Sequence, residues 1–290
     1  MYKRKIEEVL KNWKQTPNHK PIVIKGVRQC GKTSSVMDFA EKNYRHVVYL
    51  DFREHPEYRN FFIPNLDIPS IILRISATMP DVEIEAKETC FVFDEIQDCP
   101  RARGALKYFY LDGNYDVMCT GSLLGVNGYK TKEELQDESE ASIPVGFEQI
   151  ENMYPMDFEE WLWANNIKPI HLTYLRKCFD EELPVDEAIH QRMRELLHLY
   201  AIVGGMPEAV STFLATNQIG TLLQVQRRIV DEYKSDMIKY ALPTDKSKIR
   251  ECFESIPSQL AKEYKKFQFS KIRPNARGKE FAGSIQWIED

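Results

Sequence analysis

The chain has 290 residues, of which 43% are hydrophobic, so it can form one large core or two smaller ones. Its formal net charge of −5 excludes a surface that attracts nucleic acid or acidic membranes as a whole. The six cysteines form no Cys-x-x-Cys pair, and the sequence holds no apolar run long enough to span a membrane. The N-terminus lacks the apolar centre of a signal peptide. We therefore expect a soluble, cytoplasmic protein.

The first half of the chain alternates between two patterns. An amphipathic helix with Ile6, Leu10 and Trp13 on one face begins it. Short apolar runs follow, separated by helical segments. Such runs are typical of parallel strands that are covered on both faces of the sheet. The sequence therefore predicts an α/β fold with a parallel sheet between helices. The predicted strands contain residues 22–24, 47–50, 91–93 and 117–119, and the predicted helices contain residues 34–43, 70–79 and 101–110.

The pattern changes after residue 120. The acidic segment 128–142 predicts a surface loop, and residues 142–145 predict a short strand that closes the sheet. From about residue 155 the pattern is helical, with an apolar stripe along 222–237. We therefore place a domain boundary near residue 150, between an α/β core and an all-helical part.

Residues Gly26–Thr33 match the pattern G-x-x-x-x-G-K-[ST] between a predicted strand and a predicted helix. The two glycines let backbone N–H groups turn toward phosphate oxygens, and the following helix adds its positive N-terminus. Lys32 is expected to reach the β- and γ-phosphates, and the Thr33 hydroxyl to bind Mg²⁺. The predicted nucleotide-binding residues are Gly26, Val27, Arg28, Gln29, Cys30, Gly31, Lys32, Thr33 and Ser34.

A second motif is the apolar run Phe91–Phe93, which ends in Asp94 and Glu95. An acid at the end of a buried strand is the Walker B pattern, so Asp94 is predicted to hold Mg²⁺ together with Thr33. The adjacent Glu95 is predicted to orient and deprotonate water. Strand, acid and P-loop together predict hydrolysis of a nucleoside triphosphate.

A third signal is Thr120-Gly121-Ser122 after the next strand, where a polar side chain could sense the γ-phosphate. Thr120 and Ser122 both qualify, and we favour Ser122, although ordinary turn chemistry also explains the tripeptide. The predicted catalytic residues are thus Glu95, Lys32 and Ser122. Arg28, Arg101 and Arg103 are candidates for a transition-state arginine. No Asn-Lys-x-Asp guanine reader occurs, which favours ATP over GTP.

The chain resembles prokaryotic AAA-type P-loop ATPases of the STAND and archaeal-ATPase kind, which carry a trailing domain of unknown function. The resemblance rests on the motifs above and on three later blocks, CTGSLLGV, SIPVGFEQIENMYPMDFEEWL and YAIVGGMPEAV. The resemblance covers about residues 20–290. It implies an α/β P-loop ATPase core at 1–150, a smaller helical domain at 151–245 and a partial winged-helix-like segment at 246–290. Family members continue into a further C-terminal domain. The resemblance also implies that Gly26–Thr33, Asp94 and Glu95 form the nucleotide site.

The sequence departs from this family in two places. Many relatives carry an arginine after the glycine at Gly146, where this chain has Phe147, so no sensor arginine is carried over. The chain also ends at Asp290, and relatives continue further, so we expect a C-terminally shortened member or a longer natural protein.

Three hypotheses remain open at this stage. The chain is an ATPase whose cycle moves the helical domain against the core, a slow nucleotide-dependent switch or regulator that acts on a protein or DNA partner, or a nucleic-acid-binding module regulated by nucleotide. A protein partner would be another protein or a second copy of the chain. Residues 261–280 bear on the third, since seven cations against two anions give them a net charge of +5. Aromatic residues interleave with these cations, as in nucleic-acid contacts, but a solvated helix that packs its aromatics explains them as well. At most weak DNA binding is expected.

Overall fold

The computed structural model describes residues 1–122, 146–241, 244–264 and 266–289. They divide into two compact units, residues 1–122 with 146–226 and residues 227–289. The acidic segment 128–142 and the strand predicted at 142–145 lie outside the described residues. Among the helices described, none combines the length and apolar character needed to cross a membrane.

A parallel sheet of five strands forms the centre of the first unit, in the order β2-β3-β4-β1-β5. The α/β fold predicted from the sequence is confirmed. Every residue of β3 is buried, as expected of a strand covered on both faces. The strands are β1 at Ile22–Gly26, β2 at His46–Asp51, β3 at Thr89–Asp94, β4 at Asp116–Ser122 and β5 at Gln149–Asn152.

Four helices accompany the first four strands. They are α1 at Ile6–Gln15, α2 at Lys32–Asn43, α3 at Ile68–Thr78 and α4 at Pro100–Asp112. The predicted apolar face of α1 is buried in a core that also takes in β1 and α2. Short 3₁₀ turns lie at Pro56–Phe62 and Ile96–Asp98.

The later part of the first unit is helical. Asp157 caps α5 in a capping box with Glu160, which fixes where this helix begins. A separate apolar core around Trp161, Leu196 and Val210 joins these helices. The helices are α5 at Phe158–Ala164, α6 at Pro169–Asp180, α7 at Glu187–Val203, α8 at Pro207–Thr216 and α9 at Ile219–Tyr240.

The second unit takes in the C-terminal part of α9 and the segments that follow it. These are α10 at Lys246–Leu260, a 3₁₀ turn at Phe269–Lys271 and α11 at Gly278–Glu289. A small apolar cluster around Ala241, Ile249 and Trp287 packs within this unit.

Candidate functional site

The loop between β1 and α2 contains the predicted phosphate-binding residues. Gly31 has φ = +95°, a conformation that favours glycine, and it precedes the first turn of α2. Gly26 closes β1 beside the backbone of Met153, where an added Cβ would lie 2.1 Å from the carbonyl oxygen. Only glycine therefore fits at position 26. The two glycines of the motif serve different needs, close backbone approach at one end and a left-handed turn at the other.

Lys32 is folded back onto its own loop. Its side chain is buried, and Nζ donates to the carbonyl oxygens of Gly26 at 3.0 Å and Val27 at 2.8 Å. Because an ammonium group has three N–H donors, these two contacts within the described residues leave one for a phosphate oxygen. The arrangement places a positive charge across the loop.

The remaining loop residues differ in exposure. Arg28 is half-buried, Gln29 and Ser34 are exposed, and Cys30 is fully buried with its thiol 3.5 Å from the Met153 carbonyl. Burial raises the pKa of Cys30, against the opposing charges of Lys32 and Arg4. The thiol is therefore a packing group rather than a reactive thiolate.

Asp94 lies at the end of β3 and is 4% exposed. The Thr33 hydroxyl lies 3.1 and 2.9 Å from its two carboxylate oxygens, and the Tyr49 hydroxyl donates to Oδ2 at 2.7 Å. Thr120 also donates its hydroxyl to Oδ1. Side chains from the C-terminal halves of β2 and β4 and from the phosphate loop thus converge on the carboxylate at the end of β3. Parallel strands bring their carboxyl ends to one edge of a sheet in this way.

Glu95 follows Asp94 and has a left-handed backbone, with φ = 52°. Its carboxylate forms an ion pair with Arg53 at 2.8 Å and accepts a hydrogen bond from Gln97. Arg53 also pairs with Asp98, at 2.9 Å. Burial raises the pKa of Glu95 above its ordinary value, and the Arg53 charge and the Gln97 hydrogen bond oppose this only in part. A carboxylate with a raised pKa is a stronger base.

Of the two polar candidates on β4, Thr120 contacts Asp94 directly. Ser122 is also buried, at the end of the strand and opposite Gly26 in the sheet register. The structure therefore places Thr120 against the metal-ligand candidate and Ser122 beside the start of the phosphate loop. Both lie at the edge of the sheet where the other site residues meet.

Two of the arginine candidates make contacts within the chain. Arg103 forms a buried two-point pair with Glu148, at 3.0 and 2.6 Å. Arg101 donates to the carbonyl oxygens of Phe62 and Pro64, both at 2.8 Å. Both guanidinium groups thus connect α4 to neighbouring segments of the chain.

A metal at this site would need ligands beyond the protein. Within the described ranges, no group of three or more His, Cys, Asp or Glu side chains could hold an ion. The facing oxygens of Thr33 and Asp94 fit Mg²⁺, which is commonly bound by one or two protein oxygens, substrate phosphates and water. The donor set fits Mg²⁺ bound together with a nucleotide.

Three residues of the site were not identified from the sequence. Tyr49 and Arg53 come from β2 and the turn after it, and Arg4 comes from the N-terminus. No motif spacing relates them to the P-loop or to Asp94. If the order of the strands had been predicted, with β2 beside β3, the end of β2 would have indicated Tyr49 and Arg53. No feature of the sequence indicates Arg4.

The C-terminal basic segment, residues 261–280, lies in the second unit. Arg273 forms ion pairs with Glu251 and Glu280 and lies over the ring of Phe281. Lys262 donates to Gln259 and to the carbonyl of Lys266. At least two of the seven cations, Lys262 and Arg273, therefore make contacts within this unit. Lys265 lies outside the described residues.

Comparison with known proteins gives two family matches. A model described as AAA domain matches residues 18–162, and a model described as a domain of unknown function (DUF8612) matches residues 194–290. No curated protein matches the chain significantly.

Three solved structures are similar in outline. The Walker-type ATPase PABY2304 of Pyrococcus abyssi is 14% identical, with a TM-score of 0.49, over 100% of this chain and 89% of that one. DnaA from Aquifex aeolicus, bound to AMPPCP, is 12% identical, with a TM-score of 0.39, over 98% and 84%. The Aeropyrum pernix ORC1 protein in complex with DNA is 12% identical, with a TM-score of 0.35, over 99% and 81%.

Proposed function

Because the chain belongs to the AAA domain family, which its motifs had predicted, we propose that it binds ATP with Mg²⁺ and hydrolyses it. The observation that carries the proposal is the contact between the Thr33 hydroxyl and the Asp94 carboxylate, at 3.1 and 2.9 Å. A hydroxyl and a carboxylate that face each other beside a phosphate loop are the two protein oxygens that P-loop enzymes use for Mg²⁺.

The phosphate-binding part is the loop Gly26–Ser34. Its backbone N–H groups and the N-terminus of α2 would hold the phosphates, and Lys32 would add its charge. Lys32 already lies across the loop through the Gly26 and Val27 carbonyls, so its ammonium moves little to reach a phosphate oxygen. This supports a preformed anion site.

Thr33 and Asp94 would hold Mg²⁺. When bound, the ion would act as a Lewis acid on the phosphates and neutralise negative charge that develops during transfer. Tyr49 and Thr120 donate to Asp94 and fix the direction of its carboxylate. Such outer hydrogen bonds orient metal ligands and influence affinity.

Glu95 would orient a water molecule and accept its proton as the water attacks the γ-phosphate. Its raised pKa and its place directly after Asp94 support this role. Ser122, at the end of β4, is proposed to sense the γ-phosphate. We propose that residues 1–150 form the core, residues 151–245 the helical domain and residues 246–290 the partial winged-helix segment. The hydrolysis cycle would change the conformation of the helical domain.

A slow nucleotide-dependent switch is the second candidate, and one contact favours it. The Glu95 carboxylate is held by Arg53 and Gln97, so it must leave or share these partners to act on water. A base held in this way would give slow turnover until a protein partner or a second copy of the chain released it. DNA contact by residues 261–280 is proposed to be weak and independent of sequence.

Steady-state phosphate release tests the proposal and separates the two candidates. The purified chain is assayed with ATP and Mg²⁺, with GTP and Mg²⁺, and with ATP and a chelator. We expect release only with ATP and Mg²⁺. Tight binding of ATP without release would favour the switch, and equal rates with GTP would contradict the choice of ATP. Failure to bind any nucleotide would overturn the proposal.

A further inference from the structure

Arg4 contacts the backbone of the phosphate loop, although it precedes the loop by more than 20 residues and belongs to no motif. Its side chain is 5% exposed. Nη1 donates to the carbonyl oxygen of Cys30 at 2.6 Å, and Nη2 donates to the carbonyl oxygen of Tyr154 at 2.6 Å. Nε lies 3.1 Å from Glu160. One planar cation thus joins the loop to two points of a distant segment.

The distant side of this contact is itself firmly held. Glu160 accepts backbone hydrogen bonds from Lys5 at 2.6 Å and from Asp157 at 3.1 Å, and Asp157 caps α5. The carboxylate is therefore fixed by α5 and by the residue next to Arg4. A guanidinium bound to a fixed carboxylate keeps its other N–H groups in a defined direction.

The contact with Cys30 determines how one peptide of the loop is oriented. In a trans peptide the carbonyl oxygen and the following N–H point in opposite directions. Because Arg4 holds the Cys30 oxygen, the N–H of Gly31 in the same peptide points away from the guanidinium. Gly31 precedes the first turn of α2 in a left-handed conformation that permits this orientation.

Burial of a guanidinium is costly unless its donors are satisfied, and here the loop carbonyl satisfies one of them. We propose that Arg4 is a positioning residue for nucleotide binding. By holding the Cys30 carbonyl it presents the Gly31 N–H to phosphate, and it links the loop to the segment Tyr154–Glu160. This inference rests on the proposed ATP site. It adds to that site a residue outside the motifs and a contact between the phosphate loop and the segment Tyr154–Glu160.

The test uses two Arg4 variants and a matched control. Arg4→Lys keeps the buried charge beside Glu160 but cannot span both carbonyls, and Arg4→Gln removes the charge. Lys5→Gln is the control, because the Lys5 side chain pairs with Asp157 and Glu159 at the surface and does not reach the loop. Unfolding temperature without nucleotide reports any general loss of stability in each variant.

The first measurement needs no nucleotide. Hydrogen exchange of the peptide that covers Gly26–Ser35 should be about tenfold faster in Arg4→Lys than in the wild type, because the loop loses an anchor. Lys5→Gln should match the wild type. Unchanged exchange in both Arg4 variants would overturn the inference, whether or not the protein is an ATPase.

The second measurement is calorimetry with an ATP analogue and Mg²⁺ on folded protein. The Kd for Arg4→Lys should rise about tenfold or more, the size expected for loss of a charged hydrogen bond, while Lys5→Gln binds normally. Normal affinity in Arg4→Lys, beside a wild type that binds, would contradict the inference and leave the ATP site intact. A wild type that binds nothing would contradict the proposed function instead, and the exchange result would still decide the role of Arg4.

Discussion

The hydroxyl of Thr33 lies within hydrogen-bond distance of both carboxylate oxygens of Asp94, although 61 positions separate the two residues. The contact joins the phosphate loop to the end of β3. Register pairing of β1 with β4 and of β4 with β3 brings the two residues to the same edge of the sheet. The backbone topology therefore brings together the hydroxyl and the carboxylate that we propose as Mg²⁺ ligands.

Lys32→Ala is expected to abolish tight binding of ATP, because it removes the cation that lies across the phosphate loop. Calorimetry with an ATP analogue and Mg²⁺ measures the effect. Lys42→Ala is the matched control, since Lys42 lies exposed on the same helix and pairs with Asp38 at the surface. Unchanged affinity in Lys32→Ala would contradict the assignment of the P-loop.

Tyr49→Phe is expected to raise the Mg²⁺ concentration needed for half-maximal hydrolysis by about tenfold, the lower end of the range for a lost outer hydrogen bond. The variant removes the donor at 2.7 Å from Asp94 and keeps the ring. Tyr44→Phe serves as control, because Tyr44 donates to Asp116 at the start of β4 rather than to Asp94. The same shift in both variants would show that Tyr49 has no specific effect on the metal site.

The sequence predicted four of the five strands within the described residues and the consecutive residues of the candidate site. Those strands are continuous apolar runs, and the loop and Asp94-Glu95 are contiguous motifs. β5, at Gln149–Asn152, was missed because it is short and polar and its burial alternates. The structure was needed to find Tyr49 and Arg53, since only strand order places β2 beside β3. The predicted domain boundaries and residue roles stay predictions.

A pH-dependent contribution to stability is expected from His19, at the edge of the sheet away from the site. Its ring lies 3.0 Å from Asp116, and this hydrogen bond raises the pKa of His19 despite opposing burial. A raised folded-state pKa gives stability that is complete below the unfolded value of about 6.5 and is lost as pH rises through the folded value.

His19→Gln should therefore lower the unfolding temperature by about 2–4 °C near pH 6 and by less near pH 9. Burial acts to raise the pKa of Asp116, but hydrogen bonds from His19 and Tyr44 lower it, so its own contribution is lost only in acid. Thermal unfolding of the wild type and the variant at both pH values measures the difference. A larger effect at high pH would contradict this account.

Weak DNA binding by residues 261–280 is expected to fall with salt, with a log–log slope near −0.9 for each phosphate neutralised. Fluorescence anisotropy at two salt concentrations measures it. Charge reversal of Lys266 and Lys271, both exposed, should reduce binding, whereas reversal of the exposed Lys168 in the first unit should not. Binding that survives the double reversal would exclude this segment as the contact surface.

Single-turnover hydrolysis of bound ATP by the wild type and Glu95→Gln, at matched occupancy and with Mg²⁺, tests the central claim most directly. Glu95 is the proposed base, so the variant should bind ATP normally and hydrolyse it about 10²–10⁴-fold more slowly. Asp94→Asn, in contrast, should weaken binding and Mg²⁺ dependence together. Equal rates in the wild type and Glu95→Gln would contradict the role of Glu95, and a wild type that binds ATP without hydrolysing it would contradict the claim that this chain is an ATPase.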